Sequence, residues 1–255
     1  MATIQTQTSP NLEINPHAFS RQQLVYVWLA GVYITSLLLA NIVGVKMFAF
    51  QTTWWPLEDG LLMHTMGMLP FPITFLLTDL LNEYYGKKAA RRVAYIAFSM
   101  AALAWVLIWV SRALPTHEGI PGTATKDAFE IIFGGASLMY LASIVAFLCG
   151  TLIDIVLFGV FKRLTRGRFV WLRATGSTVI SQLFDSLIIS LLFFYVFQLL
   201  EGNNPNLRDA INIAFTGYVL KFLIAVAMTP GIYLGRYILQ RSFGLKPIRL
   251  PGMTV

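Results

Sequence analysis

Apolar runs of membrane-spanning length, separated by short polar and mostly basic segments, set the pattern of this chain. Six runs stand out, at about 22–44, 61–83, 92–111, 136–161, 174–200 and 211–238. Each approaches or exceeds the roughly 20 residues an α-helix needs to cross a bilayer. They predict an all-α integral membrane protein with six transmembrane helices. His64, Pro70, Pro72 and Asp79 interrupt the second run, and its prolines predict a kinked or broken segment at 70–72. Two connections are longer than the rest, about 45–60 and 112–135, and they carry Trp54, Trp55, Pro56, Pro115 and Pro121. Trp54, Trp55 and Trp171 fall where an interfacial aromatic belt is expected, and His64 reads as an interfacial residue. Nothing resembles a linker to a second domain. Residues 1–20 form a polar tail, 21–240 one membrane domain and 241–255 a C-terminal tail.

Charge orients the spans. With the N-terminus inside, fourteen Lys and Arg residues fall on the cytoplasmic side and four (Lys46, Arg112, Lys126, Arg208) outside, with Lys221 within a span. That excess places both termini in the cytoplasm. A five-span arrangement that omits the second run scores the same fourteen to four, because only Arg21 and Lys46 change sides. The length and hydrophobicity of 61–81 favour six.

Composition agrees with lipid as the solvent. The 255 residues are 56% hydrophobic and 12% charged, with a mean hydropathy of +0.67; soluble domains carry about 25% charged residues. The net charge of +7 needs no nucleic acid partner, since topology accounts for the basic residues. The first twenty residues lack the basic and apolar regions of a cleaved signal peptide. One cysteine, Cys149, precludes a disulfide framework within the chain.

Five groups able to carry charge lie inside the spans: His64, Asp79, Asp154, Asp185 and Lys221. Charge in hydrocarbon is costly, and such residues mark polar paths or partners. From the helical rise, Asp79 lies about 12 Å above Lys87, Asp154 about 12 Å above Lys162 and Asp185 about 18 Å above Arg173, a layer from mid-membrane to its cytoplasmic half. Asn82 and Glu83 share a helical face with Asp79, Gln182 shares one with Asp185, and Asn41 adds an amide near the outer end of the first span. A carboxylate accepts two adjacent N–H groups and an amide supplies one donor and one acceptor, a set suited to a planar heterocycle. Equally, Lys221 and one aspartate could form a buried ion pair that sets helix register. The segments ITFLLTDLL and VISQLFDSL place Asp79 and Asp185 in similar settings, as an inverted 3+3 pseudo-repeat would. Ser36, Ala40 and Gly44 permit close helix approach, within the chain or between two copies in a homodimer.

No HExxH, GxSxG, phosphate-binding loop or Cys/His pattern implies a cofactor, a metal or an ATPase. Taken together, ANIVGVKMF, PITFLLTDLLNEYYGKKAARR, GTLIDIVLFGVFKR, WLRATGSTVISQLFDSLIISLLFF and YVLKFLIAVAMTP resemble the queuosine precursor transporter family, formerly described as vitamin-uptake proteins. The resemblance implies a six-helix inner-membrane importer of deazapurines that serves tRNA-modification salvage. Its cargo would be the cyano or aminomethyl precursors of queuosine, or queuine. It also implies kinship with the substrate-binding subunits of energy-coupling-factor transporters, although this family is thought to act alone. By motif, Asn41, Lys46, Asp79, Asn82, Glu83, Asp154, Gln182, Asp185 and Lys221 would be the substrate-binding positions. The alternatives are a vitamin-binding subunit of an energy-coupled complex and, from another class, an intramembrane enzyme built on two aspartates.

Overall fold

The computed structural model describes residues 19–51, 61–117, 125–134, 137–166 and 168–248. The first eighteen residues, Trp54, Trp55, Pro56, Pro121 and the end of the chain from Arg249 lie outside the described residues, as does the side chain of His64.

Helix α1 (Arg21–Val43) opens on a capping box: the Ser20 hydroxyl accepts from the Gln23 backbone N–H, and the Ser20 N–H donates to the Gln23 side chain. Strands β1 (Met47–Gln51) and β2 (Leu61–Thr65) pair antiparallel, with Met47 opposite Thr65. A short 3₁₀ turn, Met66–Met68, leads to α2 (Phe71–Tyr84), and then come α3 (Gly86–Ala113), α4 (Lys126–Phe133) and α5 (Ser137–Leu164). α6 (Val170–Leu191) continues through a π-helical turn to Leu200, and α7 (Leu207–Ala227) is followed closely by α8 (Thr229–Phe243).

Five helical stretches are long and apolar enough to cross a bilayer: α1, α3, α4 with α5, α6 with its extension, and α7. The protein is an all-α membrane protein with one small ribbon among its described residues. The second span departs from expectation. Its first five residues pair with β1, and only fourteen, Phe71–Tyr84, are α-helical, about 21 Å at the usual rise. Pro72 sits in the first helical turn, where its missing N–H costs nothing, so the expected interruption at 70–72 is a break that starts this helix and not a kink within one. The last span divides at Met228, ahead of Pro230, into α7 and α8. The connection between α3 and α5 contains a helix, α4, whose N-cap Thr125 accepts from the Ala128 N–H.

Burial runs opposite to that of a soluble protein. Trp28, Leu107, Trp109 and Phe215 are exposed, whereas Ser177, Ser181, Thr178, Gln182 and three aspartates are buried. Lipid rewards outward apolar side chains and forces polar ones inward to find partners. Small residues permit the inward packing. Ala97 and Ala101 of α3 are wholly buried, and a Cβ on Gly150 of α5 would stand 3.1 Å from the Asp185 Cβ of α6. The Ser36–Ala40 stripe is buried inside the chain, where Gly67 packs on the Ala40 carbonyl.

One end of the bundle gathers several segments. The Tyr85 hydroxyl at the α2–α3 turn donates to the Gln22 carbonyl, and that of Tyr26 donates to the Ala89 carbonyl. After α8 the chain turns at Gly244, whose φ of +66° favours glycine. Leu245 is then buried, and the Ile248 N–H donates to the Glu83 carbonyl.

Candidate functional site

The α2 sequence TFLLTDLLNE carries polar residues at four-residue spacing, and folding turns Thr74, Thr78, Asp79, Asn82 and Glu83 inward together. Thr74 and Thr78 donate to the Phe71 and Thr74 carbonyls of their own helix. The Asn82 amide donates to the Ile155 carbonyl of α5 at 3.1 Å. Asp79 is 5% exposed, and its Oδ1 has no hydrogen-bond partner. It opens onto a cleft lined by Phe75, Thr175, Thr178, Met228 and Thr229 among others. The cleft lies between α2, α6 and the α7–α8 break. On its wall the Thr175 and Thr229 hydroxyls bond at 2.9 Å.

Asp154, on α5, faces the hydroxyl-rich side of α6. Its Oδ1 accepts from Ser177 at 2.8 Å, Thr178 at 3.3 Å and Ser181 at 3.4 Å, while Oδ2 is buried without a partner. Thr178 therefore joins two groups, lining the Asp79 cleft and donating to Asp154. Asp79 lies within Coulombic reach of Asp154, Glu83 and Arg173.

The other acids are paired. Lys221 of α7 donates to Asp185 Oδ2, and its ammonium lies 5.6 Å from the centre of the Phe71 ring. Glu83 accepts from Lys162 at 2.9 Å through Oε2 and from Arg173 at 2.5 Å through Oε1. Lys162 also donates to the Ile248 carbonyl, so this cluster holds α2, α5, α6 and the C-terminal segment together.

Of the nine positions singled out from sequence, the structure thus brings Asp79 and Asp154 together, pairs Asp185 with Lys221 and buries Gln182 with Oε1 unpartnered. Glu83 and Asn82 are engaged with the protein itself. Asn41 and Lys46 lie apart. Asn41 donates to the Leu37 carbonyl and lines a separate cleft with Trp105, Trp109 and Arg112, and Lys46 is exposed beside the ribbon. Sequence reasoning missed Ser177, Thr178 and Ser181, although their spacing before Asp185 marks one polar face of α6. It also assigned Lys162 and Arg173 to topology alone.

Residues 65–235 match the family described as "Putative vitamin uptake transporter". A relative from Bacillus subtilis (strain 168), named "Probable queuosine precursor transporter", is 30% identical over 66% of this chain and 70% of its own length. The chain belongs to this transporter family. Another member, from Escherichia coli (strain K12), is named "Queuosine precursor transporter" and is 26% identical over 74% of each chain. A third, from Haemophilus influenzae, is 25% identical over 71% of this chain and 66% of its own length. No solved structure matches significantly. The matched region contains the Asp79 cleft, Asp154 and the Asp185–Lys221 pair. The protein is a multi-pass transporter of the bacterial inner membrane, not an enzyme.

Proposed function

We propose that the protein imports queuosine precursors, 7-deazaguanine bases or queuine, and that Asp79 reads their guanine-like edge inside the bundle. The observation that carries this reading is the buried carboxylate of Asp79, with one oxygen unpartnered, on a cleft between α2, α6 and the α7–α8 break. A deazaguanine presents a ring N–H beside an exocyclic amine, and a carboxylate accepts both. Phe75 offers a face for the ring. The unpartnered Gln182 Oε1 and the Asp185–Lys221 pair are the polar groups we assign to the rest of the base, its carbonyl wanting a donor. Glu83 and Asn82 brace that site from their own contacts. Asn41 and Lys46 belong to the outer approach.

For topology we propose six crossings with both termini cytoplasmic, the ribbon and α2 together forming the second and α7 with α8 the sixth. The contacts that join the start of α1, the α2–α3 turn, Lys162 and Ile248 at one end support that count over five, and the basic residues cluster there. The halves α1–α3 and α5–α8 then carry Asp79 and Asp185 on their middle helices as a 3+3 pseudo-repeat.

The test is saturable binding of 7-cyano-7-deazaguanine, 7-aminomethyl-7-deazaguanine and queuine to purified protein, with guanine and biotin as comparisons. Binding of a deazaguanine or queuine that Asp79→Asn weakens supports the reading. Preference for biotin would overturn the substrate.

A further inference from the structure

We propose that Asp154 is the binding site for a coupling proton, so that the base enters together with H⁺. This rests on the reading of Asp79 as the residue that binds the base.

Asp79 and Asp154 are 5% and 3% exposed, and neither has an ion-pair partner among the described residues. Each keeps one buried oxygen unpartnered, Oδ1 of Asp79 and Oδ2 of Asp154. The cation within reach of Asp79, Arg173, is paired with Glu83, and once water is excluded two neighbouring carboxylates in a medium of low dielectric do not both stay ionised, so one of them takes a proton.

The α6 hydroxyls suit Asp154 to that proton. Ser177 Oγ lies 2.8 Å from Asp154 Oδ1 and 3.2 Å from the Ala174 carbonyl. Ser181 Oγ lies 3.4 Å from Oδ1 and 3.0 Å from the Thr178 carbonyl. A hydroxyl has one proton and two lone pairs. Aimed at Oδ1, that proton stabilises an ionised Asp154. Aimed at the helix carbonyl, it leaves a lone pair for a carboxylic acid at Oδ1. Both protonation states fit, and only hydroxyl rotation separates them. All three hydroxyls converge on a single oxygen, which favours a proton over Na⁺.

Coupling follows from the two roles. The base's paired N–H groups require an ionised Asp79, so the shared proton must reside on Asp154 when the base is bound. By covering Asp79 the base excludes water from the pair and raises the proton affinity of Asp154, so base and proton favour each other's binding reciprocally. The charged and titratable groups around Asp154 are Asp79 and Glu83 on α2, Arg173 and Asp185 on α6, Lys162 on its own helix and Tyr33 on α1. Lys162 and Arg173 are held by Glu83, and Asp185 by Lys221. α3, also packed on α5, carries its charges only near its ends, from Lys87 to Arg92 and at Arg112.

The experiment is uptake of labelled 7-cyano-7-deazaguanine into proteoliposomes. An inward proton gradient should concentrate the base, by up to about tenfold per pH unit at one proton per base. Asp154→Asn should equilibrate the base without concentrating it. Ser177→Ala with Ser181→Ala, which removes donors to the ionised form, should extend tight binding to higher pH. Accumulation driven by Na⁺ instead, or binding and exchange by the wild type with no response to pH gradients, would overturn the proton while leaving the substrate reading intact. Failure of folded wild-type protein to bind any deazaguanine or queuine would overturn both.

Discussion

Asp79 and Glu83 stand one turn apart on the same short helix, yet their surroundings are opposite. Glu83 meets Lys162 and Arg173, and both its oxygens are engaged. Asp79 forms no ion pair among the described residues and keeps an oxygen unpartnered on a cleft. The difference separates two uses of a buried acid. A fully paired one ties helices together, whereas an unsatisfied one retains its capacity for a ligand. Asp185 stands between them, paired with Lys221 but adjoining the unpartnered groups of Gln182 and Ser186 on its helix.

The contrast can be broken from either side. Glu83→Ala strands two buried cations and should cost about 3–5 kcal/mol, read as a fall in thermal unfolding temperature in detergent. An unchanged midpoint would remove Glu83 from its bracing role. Lys221→Met should destabilise comparably by leaving Asp185 unpaired, and adding Asp185→Asn should recover most of the loss. Next in size, Gly150→Leu forces α5 away from α6 at their close approach. It should cost about 1–3 kcal/mol in the same assay, and a neutral result would mean that the helices have room to part. Asp79→Asn should leave stability unchanged or slightly raised, because it removes a buried charge that has no partner. A large destabilisation would place Asp79 with Glu83 as structural. Smallest of all, Glu130→Gln at the half-exposed ion pair with Arg112 should not shift unfolding detectably.

Much of this was legible in the sequence for one reason: charge inside an apolar run is costly enough to stand out. Asp79, Asp154, Asp185 and Lys221 were found that way, and all four are buried. Their partners were not. Lys162 and Arg173 lie 79 and 90 positions from Glu83. No local pattern reveals such a contact, and basic residues at helix ends are explained equally well by topology. The hydroxyls around Asp154 were overlooked because serine and threonine are common where membrane helices pack. The second span was misread over 61–65 because so short a segment, three apolar residues followed by His64 and Thr65, fits a strand as well as a helix. Only pairing with Met47–Gln51 decides it. Pro230 did mark the break of the last span, since proline in a helix interior removes a hydrogen bond, but an apolar run on both sides concealed it.

The most direct measurement of the central claim is the affinity of purified, folded protein for 7-cyano-7-deazaguanine, 7-aminomethyl-7-deazaguanine and queuine before and after Asp79→Asn. Hydrogen bonds to a charged group contribute about 1.5–3 kcal/mol, so affinity for the transported base should fall by about 10- to 100-fold while the unfolding temperature holds. Equal affinity in both proteins would contradict the account, because the base would then be read by some group other than the free carboxylate of α2.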